Sequence, residues 1–155
     1  MKMTILVFCL VLLTVTVCAE SPEETGMQFI QIGWANEVLG YNDYVLNEDG
    51  VFRRGERAYA YLEVEGYATS QEGEYTVTDI AVDVALRASF GLRLFYQQDL
   101  IDYRQLHQTA PDTLWFYIWV DIPTLAPSAT YIAEVIIRDR ISGEILKHQE
   151  RVVVR

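Results

Sequence analysis

The sequence predicts an all-β domain, an antiparallel two-sheet β-sandwich of seven to nine strands. Three observations carry this expectation. Apolar residues recur at every second position in several separate segments, the period of a half-buried strand. Turn residues (Gly, Asp, Asn, Pro) interrupt the chain at a spacing of roughly 10–15 residues, as in sandwiches. No segment sustains an apolar period of 3.6 over the length of an ordinary helix.

The first residues stand apart from that domain. Met1 to Thr4 carries one cation, Ile5 to Val17 is almost wholly apolar, and Val17-Cys18-Ala19 offers small residues before Glu20. This is the pattern of a signal peptide spanning residues 1–19, cleaved after Ala19. The apolar run is shorter than the roughly 18–20 residues a membrane-spanning helix needs, which favours cleavage over anchoring. Lipidation at Cys18 is disfavoured because Val17 is a poor residue to precede a lipidated cysteine. Both cysteines, Cys9 and Cys18, fall inside this segment, so the mature domain relies on its core without disulfides. Removing residues 1–19 leaves 136, enough for one domain with a real core. With Lys2 gone, 11 basic residues face 22 acidic ones, a balance of −11. Such a surface repels phosphate backbones and anionic headgroups, so no nucleic-acid partner and no membrane insertion of the mature chain are expected. The predicted location is periplasmic, cell-surface or extracellular.

Residues 20–26 read as a flexible leader, polar with Pro22 and Gly26, and residues 27–155 as the sandwich. Met27 to Trp34 alternates and forms the first strand. Val45-Leu46 and Val51-Phe52 flank Asn47-Glu-Asp-Gly50, which predicts a hairpin turned on Asp-Gly. Arg53 to Glu56 turns the chain again. In the strand that follows, Ala58, Ala60, Leu62 and Val64 point one way, and Tyr59, Tyr61, Glu63 and Glu65 the other. Gly66 ends it. After a polar turn over Ala68 to Gly73, Thr78, Ile80, Val82, Val84 and Leu86 point inward, with Val77, Asp79, Ala81, Asp83, Ala85 and Arg87 outward. The β-branched content of this run selects strand over helix. Leu92, Leu94 and Tyr96 begin another strand. Gln97 to Thr113 shows no sustained period and reads as irregular, holding a short helix or a crossing loop between the two sheets. Three strands close the domain: Leu114 to Ile122, Thr130 to Arg138 and Glu144 to Val154. The last two are joined by Asp139 to Gly143, where Asp accepts from nearby backbone N–H groups and Gly supplies a positive φ.

These turn residues carry a resemblance. Phe52-Arg-Arg-Gly-Glu56, the Ile122-Pro123 strand end, Tyr131 opening the next strand, and Asp139 with Ser142-Gly143 resemble immunoglobulin-like domains of bacterial secreted and envelope proteins. In those, a Gly-Glu turn precedes an early strand, and a Tyr-led strand runs into an Asp-x-x-Ser-Gly hairpin. The likeness covers about two thirds of the mature chain. Where such domains usually place a Gly before the Tyr-led strand, this one has Pro127-Ser-Ala-Thr130. The resemblance implies an immunoglobulin-like sandwich and carries no catalytic residue across.

Chemistry is sparse. The mature chain has no Cys and only His107 and His148, with no Gly-x-Ser-x-Gly elbow. His148 reads as a residue on a solvated sheet face. His107 with Asp99 or Asp102 is the one alternative pointing to an enzyme, a small secreted hydrolase. No zinc motif is present, and Asn47 to Gly50 lacks the alternating ligands of a calcium loop, so its residues read as turn chemistry and no cofactor or metal is expected. The carboxylate pairs Glu63/Glu65 and Asp79/Asp83 read as solvated rows protecting sheet edges rather than glycosidase acids. A transmembrane barrel is disfavoured by charges on the outward positions of several strands. The most informative pattern is aromatic. From Leu114 to Ile122 one face carries Leu114, Phe116, Ile118, Val120 and Ile122, a core row. The other carries Trp115, Tyr117, Trp119 and Asp121. Rings left in water on such a face mark a recognition surface unless another element covers them. The expectation is a non-catalytic binding or assembly module whose Trp115/Tyr117/Trp119 face meets a protein or a carbohydrate.

Overall fold

The computed structural model describes residues 26–155, so the predicted signal peptide and most of the predicted leader lie outside the described residues. Ten strands follow in order: β1 (Gln28–Gly40), β2 (Asp43–Leu46), β3 (Val51–Phe52), β4 (Arg57–Glu65) and β5 (Ser70–Glu72), then β6 (Tyr75–Ala88), β7 (Arg93–His107), β8 (Thr113–Asp121), β9 (Ala129–Asp139) and β10 (Ile145–Val154). They make a four-stranded sheet ordered β2-β1-β4-β8 and a six-stranded sheet ordered β3-β10-β9-β6, with β5 and β7 also paired to β6. Among the described residues there is no helix. Every strand pair is antiparallel except β3 with β10, which is parallel.

The alternation that predicted the strands also builds the core. Leu62, Val64, Leu114 and Phe116 from the four-stranded sheet meet Ile80, Val82, Val135 and Ile137 from the other. Facing sheets sit about 10 Å apart, so inward rows from both are needed to fill the layer. A second cluster, with Trp34, Phe52, Ile122, Val152 and Val154, lies toward the other end. The Asp139 turn forms as predicted: Asp139 Oδ1 accepts from the Ile141 and Ser142 N–H groups, and Gly143 has φ +80°.

The structure corrects several expectations. The first strand runs on to Gly40 and reverses over Tyr41-Asn42, with Gly40 paired to Asp43. Asn42 takes φ +55°, a conformation an Asn tolerates better than most residues. The Asn47-to-Gly50 turn exists, and the Gly50 N–H donates to the Asn47 carbonyl at 3.1 Å. It does not close a hairpin, because β2 stays with β1 while β3 crosses to the other sheet and pairs with Val153 and Val154. Gly50 is required there: its φ is +59°, and a Cβ would lie 2.8 Å from the Arg151 carbonyl oxygen.

The segment read as irregular, 97–113, is largely strand, because β7 continues to His107. Its inward row holds Phe95, Gln97, Ile101, Tyr103, Gln105 and His107, paired opposite inward residues of β6. Mixing Gln and His into that row removes the hydropathy contrast on which period-two reading depends. A bulge adds to the effect: Gln98, Asp99 and Leu100 stand where β6 supplies only Asp83. The outward row of β6 is also buried at Ala81, Asp83 and Ala85. Cross-strand neighbours cover it, with Asp102 and Arg138 flanking Ala81, and Tyr96 and Glu134 flanking Ala85. Val120, predicted as core, is 54% exposed, at the mouth of a cavity between the sheets.

Candidate functional site

The outer face of the four-stranded sheet carries an ordered layer of aromatic rings. The pairing of β4 with β8 sets two predicted rows side by side: Arg57 opposite Asp121, Tyr59 opposite Trp119, Tyr61 opposite Tyr117, and Glu63 opposite Trp115. Directly opposed side chains on one sheet face lie close enough to interact. The rings do so. Tyr61 stacks near Trp115 with centroids 6.2 Å apart, Trp115 near Tyr117 at 6.4 Å, and Tyr59 near Tyr117 at 6.4 Å.

Two further rings, which the sequence reading did not include, complete the layer. The Tyr41-Asn42 turn brings Tyr41 within 6.2 Å of Trp115 and Tyr44 within 4.2 Å of Tyr61. The signal for them was Gly40 and Asn42 bracketing Tyr41, a two-residue reversal that returns the next strand to the same face.

Polar groups fix these rings in place. The Tyr41 hydroxyl donates to Glu63 Oε1 at 2.8 Å, and the Asn42 N–H donates to the Tyr61 hydroxyl at 3.3 Å. The Glu63 carboxylate that accepts the Tyr41 hydrogen bond holds that phenol above its ordinary pKa. Burial does the same for Tyr61. Arg57 grips Asp121 through two bonds of 2.6 and 3.0 Å, which lowers the Asp121 pKa, and its guanidinium lies 4.1 Å from the Trp119 ring centroid.

The layer therefore grades from buried to open. Tyr61 is fully buried and Trp115 half-buried, whereas Tyr117 is 44% and Trp119 50% exposed. Neighbouring rings cover part of the predicted face, and the Tyr117/Trp119 end stays in solvent.

The carboxylate pairs do not form solvated edge rows, since β4 and β6 are interior strands with a neighbour on each side. Glu63 is buried against Tyr41. Asp83 is buried and accepts from Arg138 at 2.7 and 3.2 Å, from the Tyr96 hydroxyl at 3.0 Å and from the Asp99 N–H at 2.9 Å. Asp79 pairs with Arg140 and Arg104.

The structure separates the histidine from its predicted acids. His107 hydrogen-bonds the Thr78 hydroxyl at 3.1 Å from the inward row of β7. Asp99 and Asp102 bind Arg138 and Arg140 on the outer face of that sheet. His148 is half-buried with its ring 5.8 Å from Phe29, so it belongs to the inward row of β10 and not to a solvated face. The Asn47 amide donates to the Val51 carbonyl at 3.0 Å and to Asn36 at 3.1 Å, which gives its side chain a turn-holding role. Among the described residues no three His, Cys, Asp or Glu side chains gather as a metal site would require.

Asp83 makes stability pH-dependent. Burial alone would push its carboxyl up, but the Arg138 guanidinium, the Asp99 N–H and the Tyr96 hydroxyl outweigh it and hold the pKa below the ordinary value. Glu134 is also lowered: Gln149 donates to it, burial opposes, and Arg87 adds to the lowering. A depressed carboxyl stabilises the fold above its unfolded pKa, about 4, and that contribution fades as pH falls through the folded value. Glu150, raised by burial, has the opposite sign. Unfolding by urea between pH 6 and pH 3 should show falling stability, and Asp83→Asn should flatten that fall while lowering stability at neutral pH. A variant as steep as the parent would remove Asp83 from the account.

No protein-family model matches the chain, and no curated protein matches it in sequence. Among solved structures it is similar to a Niemann-Pick type C2 protein from Japanese carpenter ant, with TM-score 0.53 and 6% identity over 84% of this chain and 93% of that one. It is also similar to the C-terminal domain of wzt, with TM-score 0.50 and 12% identity over 84% of this chain and 74% of that one. A third likeness is to Pseudomonas fluorescens alkylpurine DNA glycosylase AlkC bound to DNA containing an abasic site analog, with TM-score 0.50 and 15% identity over 83% of this chain and 30% of the glycosylase. At these identities the likeness shows the β-sandwich fold alone.

Proposed function

We propose that this chain is an exported, non-catalytic binding or assembly module of the cell envelope or extracellular space, an immunoglobulin-like sandwich that presents its aromatic face to a protein or carbohydrate partner. The observation that carries this reading is the exposed Tyr117/Trp119 end of a ring layer whose other members are held by stacking and hydrogen bonds. Rings fixed in advance lose little freedom on binding, and their apolar faces suit both sugar stacking and protein contact. Arg57 and Asp121 add a polar rim beside Trp119. The separation of His107 from Asp99 and Asp102 supports the non-catalytic reading. Export rests on the apolar segment from Ile5 to Val17.

The test pairs the parent with Tyr117→Ala/Trp119→Ala in affinity capture from an envelope extract and on a glycan array. The double variant should unfold within about 1 kcal/mol of the parent, because both side chains are half in solvent, and should lose its captured partner or glycan. Equal capture by parent and variant moves recognition off this face.

A further inference from the structure

We propose that the space between the two sheets is a binding site for an uncharged, largely hydrocarbon small molecule. Its walls adjoin the aromatic face at Trp119 and Asp121, and it goes beyond the function proposed above.

The cavity follows from residue size. Two sheets packed face to face fill the gap between them only if large side chains project from both. At one end they do: Leu62 and Phe116 meet Ile80 and Ile137, and these fully or nearly buried side chains set the separation of the layers. At the other end Ala58 and Ala60 of β4 look across at Ala133 of β9. The sheets cannot close over three methyl groups while the filled end holds them apart. A cavity of about 520 Å³ remains, within the range that takes small organic ligands.

The lining chooses the ligand. Val84, Leu86, Ile118 and Val135 form much of the wall. Three of the four polar side chains in the lining are already occupied: the Trp34 indole N–H donates to the Arg151 carbonyl at 3.0 Å, the Tyr131 hydroxyl to the Pro127 carbonyl at 3.1 Å, and Asp121 is held by Arg57; Trp119 is the fourth. Water needs two to four polar partners to settle in such a space, and these walls supply almost none. A charged ligand group would find no counter-charge inside, and the acidic surface opposes an anion at the entrance.

The entrance is open and apolar. It lies between β7 and β8, which end their respective sheets and are not paired with each other. Leu94, Leu100 and Val120 stand at it, 49%, 44% and 54% exposed. Apolar side chains on both lips of an apolar cavity let a hydrocarbon pass without meeting a polar barrier.

The experiment uses the folded domain and N-phenyl-1-naphthylamine, a neutral fluorophore that brightens in apolar surroundings. The parent should bind it saturably at one site per chain, and the anionic 8-anilinonaphthalene-1-sulfonate at least tenfold more weakly. Ala60→Phe, which fills the cavity, should weaken the neutral dye at least tenfold while near-ultraviolet circular dichroism stays native. Leu100→Glu, a change at an exposed lip, should weaken it similarly, and it decides the matter if Ala60→Phe does not fold. Absence of saturable binding by the parent overturns the proposal, as does undiminished binding by Leu100→Glu. So does sedimentation showing a dimer that Leu100→Glu dissolves, because a second copy would then be the occupant. Tyr117→Ala, at an outer-face ring that does not line the cavity, should weaken partner capture and leave this dye readout unchanged, so the two sites fail independently.

Discussion

Replacing Asp139 with alanine should destabilise the domain by about 3 kcal/mol, measured by urea unfolding at neutral pH, because three backbone donors lose a charged acceptor. Asp139 is 1% exposed. Its Oδ1 accepts from Ile141 at 2.8 Å and Ser142 at 3.2 Å, and its Oδ2 from Ala68 at 2.6 Å. The first two bonds shape the turn between β9 and β10. The third ties that turn to the segment carrying the chain from β4 of one sheet to β5 of the other. Water cannot reach these N–H groups easily once the carboxylate is gone, and a buried donor without a partner costs roughly 1–3 kcal/mol. Asp139→Asn keeps one acceptor oxygen and should lose about half as much. If alanine costs less than about 0.5 kcal/mol, the turn is held by its backbone bonds alone.

The second large effect is a contrast within the core. Leu62→Ala should cost about 3 kcal/mol, the usual penalty for deleting a fully buried leucine and leaving a void among its neighbours. Val120→Ala should cost less than about 1 kcal/mol, since Val120 is 54% exposed at the entrance between β7 and β8. On alternation alone the two residues are equivalent members of inward rows. Equal losses would mean that the cavity entrance is closed and that the sheets pack along their whole length.

That contrast shows what kind of information the sequence holds. Alternation is a local property, so it found β4, β6, β8, β9 and β10, and the direction of the rows in β4, β6 and β8. It failed in β7, where Gln97, Gln105 and His107 face inward and Tyr96 and Leu106 outward. Turn chemistry was equally local. It placed a reversal at Asn47 to Gly50, yet the partner of Val51 turned out to be Val153, a choice no neighbouring residue encodes. The same division runs through the sites. The Trp115/Tyr117/Trp119 row was legible within one strand, whereas Tyr41 and Tyr44 joined it only through a turn left unassigned. The cavity could not be read at all, because Ala60 and Ala133 become neighbours only when two sheets meet.

The parallel clasp of β3 by β10 has a kinetic side. Val51 and Phe52 gain their sheet partners only when Val153 and Val154 arrive, and the Arg54 N–H then donates to the Arg155 carbonyl. Closing so long a span is slow, since its entropic toll falls due before the contact repays it. Val51 and Phe52 therefore stay without strand partners until β10 is in place, which makes this clasp a late step in the folding of the domain.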